Sequence, residues 1–178
     1  MAYTSAQIVQ AVPTGINSAL VLIKTQTIGT TVSSVEVTGA FSSTYDNYKI
    51  IVSGGAGSAS AHFASTFGST TTGYYAGITQ VTYSTGNTSS FADSNGASFT
   101  GIGFGNTNGL IATIEVTSPN LAKNTFVSSQ HARNDTTKNS QSYIGFLNNT
   151  TQYTAFTITP TSGTFTGGEI RVYGYLNS

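Results

Sequence analysis

The sequence predicts an all-β fold, an antiparallel β-sandwich, from three observations. Apolar and polar residues alternate in several short segments, which is the pattern of strands that bury one face. Turn-forming pairs such as Asn108-Gly109 and Gly167-Gly168 separate these segments. The 178 residues are 38% hydrophobic and include ten Tyr and ten Phe, so the chain has enough large side chains for one core.

The first 18 residues are predicted to form an N-terminal arm, and residues 19–178 a single domain. Ile8, Val9 and Val12 could share one face of a short helix that Pro13 would end. Two helical turns are too short to be stable alone. The arm would therefore either become ordered by docking on a partner or remain a frayed terminus.

Strand patterns follow along the rest of the chain. They lie around residues 35–37, 48–53, 99–105, 110–117, 156–159 and 170–176. Asn108-Gly109 predicts a hairpin between the third and fourth of these segments. Residues 84–97 read as a polar loop. Eight or more antiparallel strands in one domain most often close as two sheets of jelly-roll type, which is the architecture that we predict.

The charge content argues against several classes of partner. Only 7% of the residues are charged, and the six basic and six acidic side chains cancel. We therefore expect no nucleic acid and no anionic membrane surface as a partner. A neutral surface resists aggregation poorly, so we expect an oligomer that covers much of it. The sequence contains no evident signal peptide, and we expect the protein to be made in a cytoplasm.

Catalytic and metal-binding patterns are weak. His131 with Asp135, or His62 with Asp93, could supply a base and an acid, but no G-x-S-x-G motif accompanies either pair. The chain has no cysteine, and its two histidines are far apart in sequence. We predict that the protein is not an enzyme and that it uses no cofactor or metal. A depolymerase acting through scarce carboxylates remains an alternative.

Aromatic residues recur at positions that should point outward in the last predicted strand. Tyr173 and Tyr175 stand there beside Arg171. On a monomer they would form an exposed apolar patch, and Tyr and Arg are favoured at interfaces. The other interpretation is a core shared between two sheets. The candidate partner or trimer contacts are Ile8, Val9, Val12, Arg171, Tyr173 and Tyr175.

Two stretches carry a family resemblance. Residues 41–52 read Phe-Ser-Ser-Thr-Tyr-Asp-Asn-Tyr-Lys-Ile-Ile-Val, and residues 168–175 read Gly-Glu-Ile-Arg-Val-Tyr-Gly-Tyr. Both resemble jelly-roll virion proteins of tailed bacteriophages: capsid decoration (cement) proteins, head fibres and tail-fibre tips. The resemblance implies a homotrimer located in the virion. We expect a decoration protein that binds the outside of the major capsid shell and stabilises it.

The alternative within the same resemblance is host recognition, by a fibre tip or a carbohydrate-binding protein. Sugars are bound by aromatic rings together with polar side chains from loops. Tyr74, Tyr75 and Tyr83, with the polar segment 84–97, are the candidate glycan contacts. Tyr74 and Tyr75 could instead be one buried and one exposed residue of a strand.

Overall fold

The computed structural model describes residues 19–177, so the predicted arm with Ile8, Val9 and Val12 lies outside the described residues. The described residues contain strands and no helix, and all strand pairs are antiparallel. The predicted all-β, antiparallel class is confirmed. The strands are β1 Leu20–Thr27, β2 Val35–Val37, β3 Asn47–Gly54, β4 Ala56–Gly57, β5 Ala61–Phe67, β6 Tyr74–Thr82, β7 Thr88–Gly96, β8 Phe99–Asn106, β9 Gly109–Thr117, β10 Thr125–Arg133, β11 Asn139–Leu147, β12 Phe156–Pro160, β13 Phe165–Thr166 and β14 Glu169–Tyr175.

Strand β9 is the branch point of the topology. Eight strands pair in the order β1-β14-β3-β9-β10-β11-β6-β7, which we call the main sheet. Four more follow from β9 through its hairpin with β8, in the order β8-β5-β12-β2, which we call the small sheet. One edge of β9 pairs with β8 over residues 109–111 and with β10 over residues 113–117. The two sheets therefore diverge along a single strand. Strands β4 and β13 form a separate pair.

The core lies between the main sheet and the small sheet and is rich in aromatic rings. Phe99 of β8 packs 4.8 Å from Tyr74 of β6 and 6.3 Å from Tyr143 of β11, measured between ring centroids. Phe67 of β5 stacks on Phe41 with the ring centroids 5.6 Å apart. All five side chains are buried. Many of the Tyr and Phe side chains noted in the sequence thus fill one continuous core.

The hairpin predicted at Asn108-Gly109 is confirmed. Asn106, the last residue of β8, pairs with Gly109, the first residue of β9. The Asn106 side-chain Oδ1 accepts a hydrogen bond of 2.8 Å from the backbone N–H of Asn108, which closes the turn.

The polar loop predicted at residues 84–97 is wrong for most of its length. Residues 88–96 form β7, which pairs with β6 at the edge of the main sheet. Almost every residue of β7 is exposed on both faces, so no apolar alternation marks it in the sequence. The strand is held by its backbone pairing with β6. The side chain of Asn95 also accepts a hydrogen bond from the N–H of Gly73.

The two stretches that carry the family resemblance pack against each other. Strand β14 lies between β1 and β3, as expected for a last strand that closes the sheet beside an early one. Gly174 pairs with Tyr48, and the ring of Tyr45 lies directly over Gly174. The buried Tyr48 hydroxyl donates to the carbonyl of Ser42 and accepts from its N–H, at 2.7 and 2.8 Å. These contacts fix the loop before β3 onto the sheet.

Candidate functional site

The main sheet has a second face that points away from the core, which we call the outer face. Burial alternates along β9: Leu110 and Ile114 are buried, whereas Ile111 and Thr117 are exposed. Because paired residues point to the same side of a sheet, the strand register continues this face from β1 to β7. Several large apolar side chains are exposed on it, namely Leu22, Val81, Ile111, Phe126 and Ile144.

Three aromatic residues stand side by side on the outer face and form what we call the aromatic ladder. Phe126 of β10, Phe146 of β11 and Tyr75 of β6 are direct neighbours in the strand register. Tyr75 and Phe146 are stacked, with ring centroids 5.2 Å apart and an interplanar angle of 8°. Phe126 follows at 6.1 Å from Phe146. Tyr75 and Phe146 thus turn their ring faces toward each other, whereas Phe126 is tilted by 38° relative to Phe146 and is 52% exposed.

Ile144 projects from the row next to the ladder. Its cross-strand neighbours are Ser128 on β10 and Gly77 on β6, both small, and its side chain is 68% exposed. Hollows lie beside it. One of about 550 Å³ is lined by Lys49, Ser128 and their neighbours, and another of about 370 Å³ separates Ile144 from the ladder. The outer face therefore offers a projecting apolar side chain and recesses next to it.

The charges near the centre of the outer face are paired within the chain. Lys49 Nζ lies 2.7 Å from Glu115 Oε1, and this hydrogen bond raises the pKa of Lys49. The hydroxyl of Tyr175 donates to the other oxygen of Glu115 at 2.9 Å. Burial and this carboxylate raise the pKa of Tyr175. Arg171 forms an ion pair with Glu169 on the same strand.

The candidate contacts Arg171, Tyr173 and Tyr175 all lie on the outer face, on β14. Tyr173 is in the same row as Lys49, which is its direct neighbour on β3. These three side chains are partly exposed and point away from the core. They share the face with the aromatic ladder, from which β3 and β9 separate them.

The three candidate glycan contacts are not brought together. Tyr74 is fully buried, so the structure places it in the core and not in a binding surface. Its hydroxyl accepts a hydrogen bond from the N–H of Phe67, and burial raises its pKa to about 12. Tyr75 belongs to the aromatic ladder, which confirms the alternative of one buried and one outward tyrosine. Tyr83 lies in the turn after β6 and is 59% exposed.

Phe126, Ile144 and Phe146 were not identified from the sequence. They lie on β10 and β11, whose inward positions are largely polar and include Ser129 and Gln141. Because polar residues interrupt their inner faces, these strands show no clear alternation, and their outward aromatic residues do not stand out. The stacked geometry depends on the register of three strands, and no local pattern in the sequence indicates that register.

The two histidines lie together between the sheets, and neither of the proposed acid–base pairs forms. Their rings are 6.3 Å apart. His131 Nε2 is 2.9 Å from Gln141 Oε1, whereas Asp135 binds Arg133. Burial, above all, lowers the pKa of His131 to about 4 and also lowers that of His62. Asp93 lies exposed on β7.

Comparisons with protein-family models, with curated proteins and with solved structures found no match for this chain. Residues 19–177 contain no helix that could span a membrane.

Proposed function

We propose that the protein is a structural component of a bacteriophage particle, a decoration protein that associates with itself and binds the outside of the major capsid shell. The observation that carries this proposal is the outer face. It is broad, bears large exposed apolar side chains, and has its central charges paired within the chain. Large apolar and aromatic side chains that are exposed on one face of a folded domain are typical of a protein–protein contact.

The strand order supports the finer prediction of a jelly roll. Eight of the strands can be renumbered from one to eight in chain order: β1, β2, β3, β5, β8, β9, β12 and β14. In this numbering the paired strands β1-β14-β3-β9 have the order 1-8-3-6. The paired strands β2-β12-β5-β8 have the order 2-7-4-5. These orders are compatible with the two four-stranded sheets of a jelly roll. The pairs β6–β7 and β10–β11 would be insertions that widen the first sheet. Such a fold agrees with the resemblance to virion proteins.

The aromatic ladder favours a protein partner over a sugar. A sugar ring packs on an open aromatic face, whereas the faces of Tyr75 and Phe146 lie against each other. Host-glycan recognition is therefore the second candidate, favoured by the exposed Tyr83 at the β6–β7 turn. A glycan array with the wild type and Tyr83→Ala would test it. Binding that the variant loses would support this function.

The decoration function is tested by sedimentation with capsids. Purified protein is mixed with two kinds of empty capsid. The first kind comes from the phage that encodes the protein and has been stripped of it, and the second kind comes from an unrelated phage. We expect saturable co-sedimentation with the first capsids only, and a higher melting temperature of the decorated shells because bound ligand stabilises the state it binds. Protein that stays in the supernatant with both capsids would contradict the proposal.

A further inference from the structure

We propose that the outer face is the contact between copies of this chain, so that Ile144 and the aromatic ladder are buried in the oligomer. The inference rests on the proposed function, which requires self-association. It names the surface that provides this self-association.

The size of the outer face matches what a stable contact needs. Eight strands span about 34 Å at a spacing of about 4.8 Å, and the nine-residue strands are about 30 Å long. The projected area is on the order of 1,000 Å², against roughly 800 Å² per partner in a stable interface. A second copy could therefore be held by this surface alone.

The shape of the face suits a second copy of itself. Surfaces that mate with a copy of themselves must carry both the projections and the recesses of the contact. Ile144 and Phe126 project, and the hollows of about 550 and 370 Å³ lie directly beside Ile144. The larger hollow is lined by small side chains such as Ser128 and Ser142, and also by the paired Lys49 and Glu115. It offers space next to Ile144 for a side chain from another copy.

The charges of the face also suit a second copy. Lys49 and Glu115 neutralise each other, as do Arg171 and Glu169. Two copies can therefore approach without like-charge repulsion. A strongly acidic or basic partner would gain nothing from the same pairs, because their charges are already satisfied within the chain.

The test compares the mass of the wild type with that of charged variants by light scattering coupled to gel filtration. The variants are Ile144→Lys and Phe126→Lys, which place an ammonium in the proposed contact. Phe91→Lys is the matched control, because Phe91 of β7 is 58% exposed and pairs with Ile78, so it points to the side opposite the outer face. The wild type and the control should have a mass that is a small multiple of 18.4 kDa. The two face variants should associate on the order of 100-fold more weakly.

Circular dichroism checks that each variant is folded, and Ile144→Ser replaces Ile144→Lys if the charged variant does not fold. A wild type of 18.4 kDa would overturn the inference, as would face variants that keep the wild-type mass. The two proposals fail separately. A wild-type oligomer that the face variants dissociate, but that ignores capsids, would contradict the decoration function and leave this contact established.

Discussion

Tyr74 and Tyr143 are both fully buried, yet their hydroxyl groups are in opposite situations. The Tyr74 hydroxyl accepts from the N–H of Phe67 at 2.9 Å and donates to the carbonyl of Thr70 at 3.0 Å. The Tyr143 hydroxyl has no hydrogen-bond partner among the described residues. An unpaired buried polar group costs free energy, whereas a paired one contributes to stability.

The two tyrosines therefore predict opposite effects of the same substitution. Tyr74→Phe should lower the free energy of unfolding by about 1–2 kcal/mol, because it leaves a backbone donor and a backbone acceptor unpaired. Tyr143→Phe should be neutral or stabilising, because it removes a hydroxyl that has no partner. Urea unfolding of both variants measures the difference. An equal loss in both would contradict the hydrogen-bond assignment.

His131 makes the stability of the protein depend on pH. Its folded-state pKa is about 4, below the usual value of 6.5, chiefly because the ring is buried. The hydrogen bond to Gln141 Oε1 raises this pKa, whereas the neighbouring His62 and Arg133 lower it. The imidazole of His131 binds a proton more readily in the unfolded chain than in the folded protein. The folded state therefore has its full stability, as far as His131 is concerned, above pH 6.5. This contribution to stability is lost as the pH falls from about 6.5 toward about 4.

We expect the free energy of unfolding to fall by about 2 kcal/mol between pH 7 and pH 5 on account of His131. His131→Gln cannot be protonated and should remove most of this slope. Urea unfolding at several pH values, with the wild type and the variant side by side, measures it. The same slope in both proteins would assign the pH dependence to other groups.

At the scale of the strands, β14 depends on a glycine that has no room for a side chain. A Cβ at position 174 would lie 2.5 to 2.8 Å from three ring atoms of Tyr45. This close approach joins the loop before β3 to the last strand. A Cβ at Gly96 would make only ordinary contacts, the nearest at 3.5 Å, which makes that position a control.

Gly174→Ala should destabilise the protein by about 1–3 kcal/mol, because the Tyr45 ring must move away from the sheet. Gly96→Ala should have little effect. Thermal unfolding of both variants provides the comparison. In a Tyr45→Ala background the cost of Gly174→Ala should largely disappear, because the clash is gone. A cost that persists there would mean that another contact excludes the side chain.

At the scale of the whole molecule, association should be insensitive to salt. The chain has no net charge, and the ion pairs on the outer face are internal to each copy. Burial of apolar surface is then the driving force, and salt does not screen it. The mass by light scattering should stay the same from about 0.05 M to about 1 M NaCl. Dissociation at high salt would show that charges between copies hold the oligomer.

The sequence by itself determined the all-β antiparallel class, the β8–β9 hairpin and the position of the last strand. Each of these follows from a local signal: the two-residue alternation, the Asn-Gly turn and the stretch from residue 168 to 175. Alternation along the last strand also predicted that Tyr173 and Tyr175 point to the side opposite Ile170 and Val172, but it left open whether that side is exposed or part of a shared core.

Only the tertiary structure decided which strands lie side by side and which residues meet across them. The sequence could not say whether Tyr74 or Tyr75 faces the core, because a shift of one residue in register exchanges the two faces of a strand. It gave no sign of β7, which buries almost nothing. The aromatic ladder joins residues 75, 126 and 146 from three strands. Its existence depends on long-range pairing, which a pattern within one segment does not encode.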